Sequence, residues 1–164
     1  MKVIGMAGWS GSGKTTLVEQ VIDLLQARGL AVSLIKHAHH NFEIDHPGKD
    51  SYRHRHAGCR EVLITSAKRW AVVHELRGRE ELTLNDAMAQ LSPCDLVIVE
   101  GFKHEAIAKI EIYRAEIGKP LLFPNDPHII AVASDAPVET TLPRLDLNQP
   151  ASIADFTLKT SSLA

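Results

Sequence analysis

Eight consecutive residues, Gly8-Trp9-Ser10-Gly11-Ser12-Gly13-Lys14-Thr15, constrain this chain more than any others. They form a complete G-x-x-x-x-G-K-[ST] run, and their flanks agree with it. Val3 to Ala7 is short, apolar and followed by glycine, which predicts a buried strand. Lys14 to Arg28 predicts a helix: Leu17, Val21, Leu24 and Leu25 recur at helical spacing, and Val18 and Ile22 widen the stripe. Gly29 then stops it. A strand, a glycine-rich turn and a helix in that order make an anion cradle. Glycines permit positive φ and let successive N–H groups turn inward around a phosphate. The helix N-terminus adds partial positive charge. In such a loop Gly11, Ser12 and Gly13 line the phosphates and Lys14 bridges the β- and γ-phosphates. The Thr15 hydroxyl ligates magnesium, and Thr16 reaches the α-phosphate.

The rest of the chain extends this start into an α/β domain. Ala31 to Ile35 predicts a second strand, joined by a right-handed parallel crossover and expected to neighbour the first. His37 to Lys49 reads as a loop, and Asp50 to Ala57 as a short helix. Val62 to Thr65 and Trp70 to His74 predict a β-hairpin. Leu84 to Leu91 predicts a helix ended by Pro93, and Leu96 to Val99 a strand covered on both faces. Ala108 to Tyr113 and Ile129 to Ala133 are further strands, and Ser152 to Leu158 a closing helix. The expected fold is a three-layer phosphate-loop NTPase with a mostly parallel sheet, a β-hairpin extension, and one domain over residues 1–164.

Composition narrows the function. A formal net charge of -2 and a pI near 6.5 argue against nucleic acid or an anionic membrane as the main partner. Only Cys59 and Cys94 occur, with no C-x-x-C pair, which fits a reducing compartment. No run approaches the ~20 apolar residues that span a bilayer. The expected location is the cytoplasm.

Several residues outside the loop carry chemistry. Asp95 to Gly101 is a strand ending in a carboxylate and a glycine, so Glu100 is expected near the phosphates as a magnesium residue, with Asp95 structural at the far end. Asp45 and Asp50 are candidates for positioning magnesium or the attacking water, and Lys36 and Lys49 for offsetting phosphate charge. Six histidines between His37 and His56 permit a metal site but complete no tetrahedral set. Arg53, Arg55 and Arg60 with Tyr52 form a basic cluster suited to a phosphate-bearing ligand or an acidic partner face. Guanine would need a carboxylate acceptor, and Asp135, just beyond a buried strand, is in a place to provide one.

Three blocks together resemble the MobB family, the molybdopterin-guanine dinucleotide biosynthesis adapter proteins. They are Gly8 to Thr16, the Lys36-to-Ser51 segment with Ala57-Gly58, and Val99-Glu100-Gly101-Phe102-Lys103-His104-Glu105; Ala131 to Asp135 looks like the family's late strand. The resemblance implies GTP and magnesium as ligands, weak GTPase activity and a homodimer. It also implies association with the MobA-type guanylyltransferase that attaches GMP to molybdopterin. Two other functions share the same motif: a histidine-rich metallochaperone GTPase for nickel enzymes, and a small-molecule kinase.

Overall fold

The computed structural model describes residues 1–38 and 42–163, so the expectations for His39 and His40 lie outside the described residues. In chain order the elements are β1 (Lys2–Ala7), α1 (Lys14–Ala27), β2 (Val32–Lys36), α2 (Asp50–His56), β3 (Glu61–Thr65), β4 (Trp70–His74), α3 (Leu84–Ala89), β5 (Leu96–Glu100), β6 (Lys109–Tyr113), β7 (Ile129–Ser134), β8 (Arg144–Asp146) and α4 (Pro150–Thr160). They fall into two compact units, Met1–His37 with Leu84–Ala164, and Ala38–Thr83.

The first unit is built on a six-stranded sheet of order β2-β5-β1-β6-β7-β8 in which every pairing is parallel. Side chains alternate across a strand. On one face Ile4, Met6, Ile98, Ile110 and Ile112 pack against Val21 and Leu25 of α1 and Ile153 of α4, all at most 1% exposed. Arg28 joins the two helices through Asp155, at 2.7 Å. On the other face Val97 and Val99 meet Leu84, Ala87 and Met88 of α3. Helices therefore cover both faces, the three-layer arrangement expected. Truncating Leu25 to Ala in so dense a core costs about 2–5 kcal/mol.

One expectation is overturned. β2 does not neighbour β1, because β5 lies between them and pairs with both. The crossover through α1 leaves a gap one strand wide, and the apolar Leu96–Val99 run, buried on both faces, fills it.

The second unit pairs β3 with β4 in an antiparallel hairpin, Leu63 opposite Val72 and Thr65 opposite Trp70. The hairpin forms its own two-stranded sheet and is not an extension of the larger one. α2 packs against β3. Among the described residues no helix is long and apolar enough to cross a membrane.

Candidate functional site

A parallel sheet brings the carboxyl ends of all its strands to one edge, and ligands of open α/β sheets lie there. In the first unit that edge carries the loop after β1, Lys36 at the end of β2, Glu100 at the end of β5, Arg114 just past β6 and Asp135 just past β7. Residues scattered over the chain are thus lined up by topology alone.

The phosphate loop has a conformation that needs glycine. Gly8 has φ 150°, and a Cβ there would meet the Ile112 carbonyl oxygen at 2.4 Å. Gly13 caps α1 in the left-handed region, with no side-chain cap and no acidic residue in the first turn. The first-turn N–H groups are therefore left to an outside acceptor. The Lys14 ammonium folds back over the loop and donates to the carbonyls of Gly8 at 2.8 Å and Trp9 at 2.9 Å. Half-burial lowers the Lys14 pKa; Glu100 opposes that shift, and Lys103 and Lys36 add to it. Two further ammonium groups thus act on Lys14, a repulsion that an anion would relieve. Ser12 Oγ is buried and has no hydrogen-bond partner among the described residues. Thr15 and Thr16 are exposed.

Glu100 lies on the strand face that also carries Leu96 and Ile98, the face covered by α1. Its carboxylate is 11% exposed, 3.7 Å from Lys36 Nζ. A hard, near-buried oxygen donor on the α1 side of β5 is the kind of ligand that a divalent cation takes. Gly101 follows with φ 95°, and a Cβ there would meet His37 Cβ at 2.7 Å. The bare glycine lets the ends of β5 and β2 close up, sealed by the His37 and Phe102 rings at 4.8 Å. Asp95 accepts the Ala31 N–H at 2.8 Å, the structural role expected of it.

Sequence reasoning missed the polar layer under the opposite face. Lys109 is 2% exposed and donates to Lys103 O at 2.8 Å and Asp126 at 2.7 Å. Burial pushes the Asp126 carboxyl up, but the bonds from Lys109 and the His128 N–H outweigh it, and the net shift is downward. Glu111 is fully buried and accepts the N–H groups of Leu122 at 2.7 Å and Phe123 at 2.9 Å. Burial raises its pKa against those two bonds. Together they pin the irregular segment between β6 and β7. That segment brings Pro120 to the phosphate loop, where its carbonyl accepts the Trp9 indole N–H at 2.7 Å. Lys103 and Lys119 lie 5.3 and 5.9 Å from the Trp9 ring centre.

Asp135 is not free. Its carboxylate accepts from Arg114 Nη1 at 3.2 Å and from the Ala115 N–H at 3.2 Å. Arg114 was also missed; its one signal is its position immediately beyond a strand of the ligand edge.

Within the second unit Asp45 and Arg55 form a buried pair, with Glu43 and Glu75 also on the guanidinium. Arg55 is therefore not part of an open basic cluster. Its charge is consumed by three carboxylates, because a buried guanidinium must be paired. The Asp45 oxygens both face Arg55, whose hydrogen bonds hold that carboxyl well below the usual range. Asp50 is exposed at the start of α2. No group of three or more His, Cys, Asp or Glu placed to hold a metal ion occurs among the described residues.

Residues 3–135 match the family described as molybdopterin guanine dinucleotide synthesis protein B. The chain is 44% identical over 160 residues to the molybdopterin-guanine dinucleotide biosynthesis adapter protein of Escherichia coli strain K12, covering 96% of this chain and 91% of that one. The adapter protein of Haemophilus influenzae is also 44% identical, over 155 residues, 94% of this chain and 86% of the other. A crystal structure of molybdopterin-guanine biosynthesis protein B superposes with a TM-score of 0.75 at 27% identity, covering 96% and 99% of the two chains.

Proposed function

The chain belongs to the molybdopterin guanine dinucleotide synthesis protein B family, and on that premise we propose that it is a GTP-binding adapter assisting the attachment of GMP to molybdopterin. The observation that carries the proposal is 44% identity to a named adapter over 96% of the chain, with the phosphate loop intact.

In this reading Gly11, Ser12, Gly13, Lys14, Thr15 and Thr16 hold the triphosphate, and Thr15 and Glu100 hold magnesium. The loop amides and the Lys14 ammonium neutralise the phosphate tail and keep it in line for attack. Bound magnesium would supply further charge neutralisation between the phosphates. Neither a glutamine to orient water nor an arginine finger is evident in the sequence, so turnover is expected to be slow until a partner completes the site. Asp50 is the proposed water-positioning carboxylate. Asp45, spent on Arg55, serves by holding its own segment together.

The proposed partners are the guanylyltransferase and a second copy of this chain, in the cytoplasm. Support for self-association comes from the hairpin, where Leu63, Trp70 and Val72 share one face and are 61%, 66% and 42% exposed. Contiguous exposed apolar residues of this kind mark interaction surfaces. The test is reconstitution: chain, guanylyltransferase, molybdopterin and magnesium-GTP are combined, and dinucleotide yield and co-elution are followed. A yield raised by the chain and lost with Lys14→Ala is expected. Equal yields with and without the chain, together with no calorimetric heat on adding GTP, would defeat the proposal.

A further inference from the structure

Beside the phosphate loop lies a cavity of about 310 Å³, at the small end of the range for ligand pockets. Gly13, Thr16 and Gln20 form one wall, Leu147 and Asn148 another, and the Arg114 side chain borders it. Its place follows from the direction of the phosphate tail. Lys14 attends the β- and γ-phosphates and Thr16 the α-phosphate, so the rest of a nucleotide leaves the loop on the Thr16 side. One helical turn further, Gln20 lies on the same face.

We propose that Arg114 is the nucleoside-gripping residue of this chain: the purine of the bound triphosphate lies in the cavity beside Thr16, against the guanidinium plane, with Asn148 and Gln20 at its rim. This rests on the phosphate-loop reading above. A guanidinium is planar and delocalised and stacks on aromatic faces, which an ammonium does not. The group already stands beside the cavity: a Cβ built on Gly13 would sit 3.3 Å from Arg114 Nη2, and Arg114 lines the cavity together with Gly13 and Thr16. Asp135 holds Nη1 at 3.2 Å, and the Ala115 N–H anchors the same carboxylate. Asp135, whose place suggests a guanine acceptor, is on this account a positioning residue acting through Arg114. The carboxamides of Asn148 and Gln20 each carry a donor and an acceptor and can pair with a purine edge.

The experiment compares two ligands by titration calorimetry on the full chain with magnesium: GTP and inorganic tripolyphosphate. The first has a nucleoside and the second does not. Arg114→Ala is expected to weaken GTP about tenfold and leave tripolyphosphate unchanged. Arg114→Lys keeps the charge but not the plane, and should lose as much as the alanine variant. Asp135→Ala should show the same GTP-only loss at smaller size, with Asp135→Asn recovering part of it. Equal losses for both ligands, rescue by lysine, or unchanged GTP affinity in Arg114→Ala would each overturn the assignment. Wild-type chain that binds tripolyphosphate as tightly as GTP would overturn the nucleoside site while the phosphate loop stands. Wild-type chain that binds neither would remove the phosphate-loop reading itself. Should Arg114→Ala shift the melting curve, Asn148→Ala tests the cavity without breaking an ion pair, and a GTP-only loss is again expected.

Discussion

The two units of this chain are held together by opposite means. The first buries a continuous apolar core on both faces of a parallel sheet. The second buries, among its described residues, only Asp45 and Arg55. Seven of the nine large hydrophobic side chains that stand exposed among the described residues are in the second unit, Leu63 and Trp70 among them. A two-stranded hairpin is marginal by itself in water, and its apolar face gains nothing until something covers it. The contrast teaches a division of labour. A ligand edge that must hold charges within tenths of an ångström stands on a dense core. A unit organised by an ion pair leaves its apolar groups for another surface.

Four measurements can break or sharpen that contrast. The largest effect is expected at the buried polar layer of the first unit. Glu111→Ala orphans two N–H groups and should cost about 3 kcal/mol in urea unfolding, whereas Glu111→Gln keeps an acceptor and should cost far less. Equal losses in both variants would mean the layer matters for its charge and not for its hydrogen bonds. Next comes Lys14→Ala, expected to weaken magnesium-GTP about 100-fold by calorimetry while leaving self-association in sedimentation unchanged. A simultaneous loss of association would tie the hairpin to the nucleotide and erase the division.

Third, Trp70→Ala should weaken self-association about tenfold with nucleotide affinity intact. A chain that sediments as a monomer before any substitution refutes this directly. The smallest effect belongs to pH. The Asp45 carboxyl is held down chiefly by its hydrogen bond from Arg55, so the folded pKa lies below the unfolded one. Its contribution is full above the ordinary value of about 3.9 and is lost as pH falls through the folded value. Hydrogen exchange near pH 3 should therefore quicken across residues 42–83 before it quickens in β1 or β5. The reverse order would show that the ion pair does not organise the second unit.

What could be read from the sequence was local. The phosphate loop, the helix stopped at Gly29 and the carboxylate at the end of β5 each depend on a few adjacent residues, and the structure has all three as expected. Strand order could not be read that way. β5 takes the slot beside β1 through pairings between residues more than ninety positions apart, Lys2 with Leu96 among them, and nothing in either segment names the other. Arg55 was misread for a related reason. Arg53, Arg55 and Arg60 look like one basic patch in a line of text, yet Glu43, Asp45 and Glu75 converge on the middle one alone. Lys109 and Glu111 alternate with isoleucines, the usual mark of a half-wet strand. Here the polar side is roofed by the chain between β6 and β7, and a roof cannot be seen from the strand it covers. Arg114 escaped notice because it belongs to no motif.

The strand order also dictates the timetable of synthesis. When β1, α1 and β2 have left the ribosome, neither strand has its partner in the finished sheet; their shared neighbour is still some sixty residues away. Pairings this remote are slow to form. The hairpin, whose strands adjoin through a four-residue turn, can close in the meantime. A nascent chain stalled before Leu96 would thus expose the apolar hairpin face while the sheet is still unassembled, a form open to chaperone capture and to premature pairing between neighbouring chains.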